Sequence, residues 1–209
     1  MYGDTRFLHA HLSRIQDAVL IAKKVAALLN EKAGTRFRVG GALGTRPGIL
    51  AVTSAIETTE QLEHIRQLMW SDPDVGAAMR FADDLFYHGE GEELDVIEMR
   101  HVTTGVEKEW TSAFRTRCKP GHRAQAIDLG IHAAGVMSKI IGAPVGFSTA
   151  VTGDLLRARF HSDFSSLADV AKANAALQGS ADFMKLFHAA ESAFDANVMH
   201  RTIWQWAKP

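Results

Sequence analysis

Cysteine is almost absent: Cys118 stands alone in 209 residues. No disulfide can form within the chain, and a zinc site, which usually gathers several thiolates or imidazoles, finds no matching cluster. Long apolar runs are missing too. The stretch from Ala18 to Leu29 is broken by Lys23 and Lys24, short of the roughly 20 apolar residues that cross a bilayer. Charge of one sign is also lacking, since 23 Lys and Arg stand against 24 Asp and Glu. No overall field draws the chain to nucleic acid or to an anionic membrane, so neither is expected as a partner. The opening residues, with Asp4 among them, show no signal-peptide pattern, and a cytoplasmic location is expected. What is present is ordinary globular composition, 46% hydrophobic and 22% charged, in a length that buries a sizeable core.

Several familiar chemistries are excluded by motif. Val39 to Gly44 is glycine-rich but lacks the lysine of a phosphate loop and lies in a strand pattern. No Gly-x-Ser-x-Gly elbow exposes a serine. No His-Glu-x-x-His appears, so no metal site is expected, and no Cys-x-x-Cys-His attaches haem covalently.

An internal repeat is present. Sliding the sequence by about 108 positions aligns a helical pattern from Leu12 to Gly34, apolar at Ile15, Val19, Ala22, Ala26 and Leu29, with one from Pro120 to Gly142. Each ends at glycine, as helix C-termini do. Hairpins follow: Arg36 to Gly44 with Ile49 to Ile56 around the turn Thr45 to Gly48, and Pro144 to Thr152 with Leu155 to His161. Helix starts are expected at Thr58 to Gln61 and at Ser162 to Ser165, where N-cap chemistry is present. Closing strands run from Leu94 to Val102 and from Asn197 to Trp206, and opening strands from Arg6 to His11 and from Phe114 to Lys119. Each copy thus has the ferredoxin-like order β-α-β-β-α-β. The expected fold is α+β, two such repeats at 1–105 and 106–209 whose antiparallel sheets close into one intrachain barrel. Two ferredoxin-like domains side by side are the alternative.

Strand alternation divides helix-facing from barrel-facing residues. Phe114, Thr116 and Cys118, with Leu156, Ala158 and Phe160, are expected on the helices. Arg115 and Arg117 then lie beside Arg157, Arg159 and His161 on the barrel side, with His200, Thr202 and Trp204 from the last strand. The corresponding first-copy positions are Phe7, His9 and His11, then Val52, Ser54 and Ile56, then Glu98 with Arg100. Clustered guanidinium groups need counter-charge. A carboxylate or phosphate ligand held by bidentate arginine contacts supplies it, or acids such as Glu98, Asp154 and Asp163 do. On the ligand reading, Arg115, Arg117, Arg157, Arg159, His9, His11 and Trp204 bind substrate, while His161 or His200 moves a proton. Scattered histidines are also commonly structural, and His132 and His188 fall on helix surfaces. Cys118 reads as a buried, inert thiol.

The Arg-Thr-Arg-Cys-Lys-Pro-Gly run from Arg115 to Gly121 and the stretch from Gly146 to Leu167 resemble the dimeric α+β barrel superfamily, in particular its NIPSNAP-like and antibiotic-biosynthesis-monooxygenase-like members. Leu12-Ser13 in the first copy departs from the Pro120-Gly121 of the second. The resemblance implies the duplicated barrel but does not select a reaction. Three functions stay open: a cofactor-independent oxygenase, isomerase or cyclase acting on a small anionic, partly aromatic metabolite; a non-catalytic binding or assembly protein; and a haem-binding barrel. Apart from haem no cofactor is expected, and further assembly into a homodimer is left open.

Overall fold

The computed structural model describes residues 1–43, 48–87, 93–101 and 108–207; the expected turn at Thr45 to Pro47 and the strand end at Val102 lie outside them. The first repeat contains β1 (Tyr2–His9), α1 (Ile15–Ala33), β2 (Arg38–Leu43), β3 (Ile49–Ile56), α2 (Thr59–Ser71), α3 (Pro73–Arg80) and β4 (Glu93–His101). The second contains β5 (Trp110–Arg117), α4 (Arg123–Ile141), β6 (Gly146–Ala150), β7 (Arg157–Phe164), α5 (Leu167–Gln178), α6 (Ala181–Ala190) and β8 (His200–Trp206). The starts of the first six elements, from Tyr2 to Pro73, recur 108 residues later, from Trp110 to Ala181. The strand order is closed, β1-β3-β2-β8-β5-β7-β6-β4, which gives the α+β barrel of two ferredoxin-like repeats. Contacts divide the chain into two compact units, one built around residues 1–97 and the other on Glu98–Gln205.

In the first unit, α1 buries Ala18, Ala22, Ala26 and Leu29, one stripe at helical spacing. It stops at Gly34, whose φ of 64° is a conformation that costs glycine little. The stripe packs on Val39, Val52 and Ile56 of the sheet, with Ile65 of α2 and Val75 of α3 completing the core. Thr58 caps α2 by accepting from the Gln61 amide, while Gln61 accepts from the Glu57 amide. Asp72 caps α3 in the same manner and pairs at 2.6 Å with Lys32 of α1.

Register fixes the faces. β1 pairs with β3 so that Asp4 meets Ser54, Arg6 meets Val52 and Tyr2 meets Ile56, all on the helix side. Val52, Ser54 and Ile56 therefore point toward the helices, not away from them as expected. Their neighbours Ala51, Thr53 and Ala55 take the other face, and Thr53 bonds Thr5 at 2.8 Å there. The bulk of Val52 and Ile56 is what fills the space under α1. A β-carbon on Gly3 would press on the Ile97 side chain, which assigns Ile97 to the helix-free face and puts Glu98 and Arg100 on the helix side. Arg100 accordingly donates to Thr149 and pairs with Glu98 at 2.6 Å, another departure from the expected facing. Asp4 is fully buried, and neither carboxylate oxygen has a hydrogen-bond partner. Burial pushes its pKa above the ordinary carboxylate value, against the pull of Arg6 and Arg66.

In the second unit, α4 buries Ala126, Gly130 and Ala134 over Phe147, Ala158 and Phe160. A β-carbon at Gly130 would overlap the Phe147 ring. The corresponding pair in the first unit is Ala22 with Val39, so one side of the contact shrinks where the other grows. Cys118 is buried in this core, as expected, and burial raises its thiol pKa. β7 runs on to Phe164, so Ser162 and Asp163 are strand residues, not a helix cap. The cap is Ser166, which accepts from the Asp169 amide at 3.1 Å. Ser166→Ala is expected to cost about 1 kcal/mol, read from urea unfolding midpoints. β8 begins only at His200, because Ala196–Val198 forms a 3-10 turn capped by Asp195. Among the described residues no helix is long and apolar enough to cross a membrane.

Candidate functional site: an apolar cavity in the second unit

Arg115 lies directly opposite Arg159 on β7 and His200 on β8, and Arg159 faces Ser148 on β6. One row thus carries two guanidinium groups and an imidazole across four strands. Arg117 lies opposite Arg157, and His161 opposite Ala113 and Gly146. All share the helix-free face, as does buried Trp204, the partner of Thr111. The structure therefore brings Arg115, Arg117, Arg157, Arg159, His161, His200 and Trp204 to one sheet face. Arg159 is buried there and His200 exposed. Arg117 is held by Asp154 at 2.9 Å, one of the acids expected as internal counter-charge. His9 closes β1 in the first unit. His11 lies beyond the strand, not on it, with its ring 3.9 Å from that of Tyr87.

The larger described space lies on the opposite face of the second sheet. A cavity of about 350 Å³ opens between β5, β7 and β8 and the helices α4, α5 and α6. Phe114 and Phe160 form its floor, Leu129 and Met137 one wall, and Phe183 and Phe187 of α6 the roof. It exists because α6 buries none of its residues, whereas α3 of the first unit buries Val75 and Ala78. Small residues along α4, with Ala133 in the lining, leave the volume unfilled.

Four polar side chains, Thr116, Asn174, Gln178 and Arg201, interrupt this apolar surface. Thr116 is 3% exposed and its hydroxyl has no hydrogen-bond partner. Asn174 accepts a hydrogen bond from Arg201. Arg201, directly across from Phe114, is exposed on one side, and among the described residues its guanidinium meets Asn174 but no carboxylate. Partial desolvation lowers its pKa, as expected of a cation beside apolar walls. The lining carries no imidazole, carboxylate, thiol or phenol. Haem iron is held by histidine, cysteine or tyrosine, or by methionine together with histidine; the lining offers only the thioethers of Met137 and Met199 and no imidazole to accompany them, so the residues of this cavity do not fit haem. A second space of about 30 Å³ reaches His161 and Ser162, room for little more than a water molecule.

Sequence patterning places Phe114, Thr116 and Phe160 on the helix side as packing residues, and Met199 and Arg201 join that side because they alternate with His200, Thr202 and Trp204. The available signals were a charged residue in a helix-facing set and a threonine where the first repeat has Leu8.

No protein-family model matches the chain, and no curated protein matches it in sequence. Solved structures do. A monooxygenase candidate from Fusobacterium nucleatum is similar with a TM-score of 0.71 at 6% identity, over 99% of this chain and 92% of that one. An anthrone oxidase-like protein is similar at 0.67 and 9% identity, over 99% and 91%. A haem-binding protein from Thermus thermophilus is similar at 0.58 and 12% identity, over 99% and 91%. The likeness covers both repeats and shows a shared fold, the dimeric α+β barrel.

Proposed function

We propose, for a chain with the dimeric α+β barrel fold, that the second unit binds a small, partly aromatic anion in the cavity between its sheet and helices. The observation that carries this reading is an apolar chamber of about 350 Å³ with Arg201 at its edge and no acid to answer it. A cavity of roughly 150 Å³ holds benzene, so this one suits about two fused rings. Phenylalanine walls favour flat aromatic faces, and a carboxylate on the ligand would meet the Arg201 fork. With no titratable base in the lining, the reading is one of binding.

The test uses 2-naphthoate as the probe and titration calorimetry on the full chain. Binding with one site is expected. Arg201→Gln should weaken it by about tenfold or more, because a hydrogen bond to a charged group contributes roughly 1.5–3 kcal/mol. Unaltered affinity in that variant rejects the assignment of the anion.

The row of Arg115, Arg159 and His200 favours a second reading. A small anion held on the helix-free face by Arg157 and Arg159 would have His161 or His200 within the same surface for proton transfer, as an oxygenase, isomerase or cyclase requires. Loss of 2-naphthoate binding in Arg157→Ala/Arg159→Ala, with Arg201→Gln unaffected, would select it.

A further inference from the structure

Thr116 occupies a position where a hydroxyl has nothing to do in the protein alone. Its cross-strand partner is Ala158, and beyond that Thr149 is already engaged by Arg100. The corresponding residue of the first repeat, Leu8, is packed against an apolar core. An apolar side chain therefore serves this place in the fold, and burying an unbonded hydroxyl there costs stability. The hydroxyl is on the helix side of β5 and lines the cavity. It stands two residues along β5 from Phe114, which is itself opposite Arg201. Diagonal neighbours of this kind have their side chains about 7–8 Å apart at the base, comparable to the length of a two-ring molecule.

We infer that Thr116 selects a ligand carrying an uncharged hydrogen-bonding group, a hydroxyl or carbonyl, on the ring system that lies inside the cavity, so that the ligand class is a hydroxylated or keto aromatic acid. This rests on the cavity reading given above. A threonine hydroxyl donates and accepts, so it serves either group. Arg201 fixes the acid, Thr116 the ring oxygen, and the phenylalanine walls the plane between them.

The experiment compares 2-naphthoate with 6-hydroxy-2-naphthoate on the full chain and on Thr116→Val, which keeps the shape and removes the hydroxyl. The unsubstituted chain is expected to prefer the hydroxylated probe by about tenfold, the scale of one satisfied buried hydrogen bond. In Thr116→Val the ratio should fall to about one, through loss of the advantage of the hydroxylated probe. The melting temperature of the ligand-free variant should hold or rise, since an unanswered hydroxyl has been removed; a threonine with a structural role would lower it. Equal binding of the two probes by the unsubstituted chain, or a preference that survives in Thr116→Val, overturns the inference and leaves the cavity reading intact. Failure of both probes to bind overturns the two together.

Discussion

Phe147→Ala is expected to lower stability by about 3–5 kcal/mol, the cost of removing a large ring from a closed core. Total stability for a protein of this kind is about 5–15 kcal/mol, so this one change removes a large share of it. Phe147 is fully buried, its ring centroid is 4.7 Å from that of Phe160, and its edge lies against Gly130 of α4. No side chain on that stretch of α4 can move in to replace it, because Gly130 has none. The same contact predicts a second result. Gly130→Ala alone should cost about 1–3 kcal/mol through overpacking, whereas Gly130→Ala with Phe147→Val reproduces the pairing of Ala22 with Val39 and should recover part of that loss. Urea unfolding of the three variants measures both, and additive losses in the double variant would contradict the complementary packing.

Raising the pH is expected to destabilise the fold through Asp4. Its folded pKa is raised, so between the ordinary value of 3.8 and that raised value the native chain keeps a proton that the unfolded chain has released. Stability is then highest below the ordinary value, falls by about 1.4 kcal/mol per pH unit across the window, and is fully lost as a contribution above it. Asp4→Asn removes the titrating group and should flatten this part of the profile. Chemical denaturation at a series of pH values decides the matter, and an identical slope in both proteins would refute it. Ser54, directly opposite, cannot answer the carboxylate, because its hydroxyl donates to the Ala55 carbonyl and accepts from the Arg36 amide.

The duplication was legible because its punctuation is local. Gly34 and Gly142 end matching helices, and the apolar stripe of α1 is readable at helical spacing without any knowledge of its partners. Facing was legible where alternation contrasts charge with bulk, as in Phe114-Arg115-Thr116-Arg117. It failed in β3, where Val52, Ser54 and Ile56 alternate with Ala51, Thr53 and Ala55 and no charge marks a side. It failed again in β4, where Val96 and Ile97 are adjacent and both buried. The start of α5 was misplaced because Ser162 and Ser166 are equally good caps in isolation, and it is the pairing of Ser162, Asp163 and Phe164 with Ser112, Thr111 and Trp110 on β5 that keeps the strand going. The cavity was not legible at all. A void depends on where several elements stop short of one another, and Phe183, Leu186 and Phe187 look the same in a sequence whether they fill a core or surround a space.

The roof of that space also has a kinetic meaning. With none of its ten residues buried, α6 is the kind of segment that separates from its support at small energetic expense while the sheet beneath stays whole. Exchange of a guest with solvent then requires only that this one helix lift, and the lifetime of the complex would follow the frequency of that lifting more closely than the strength of any single contact inside.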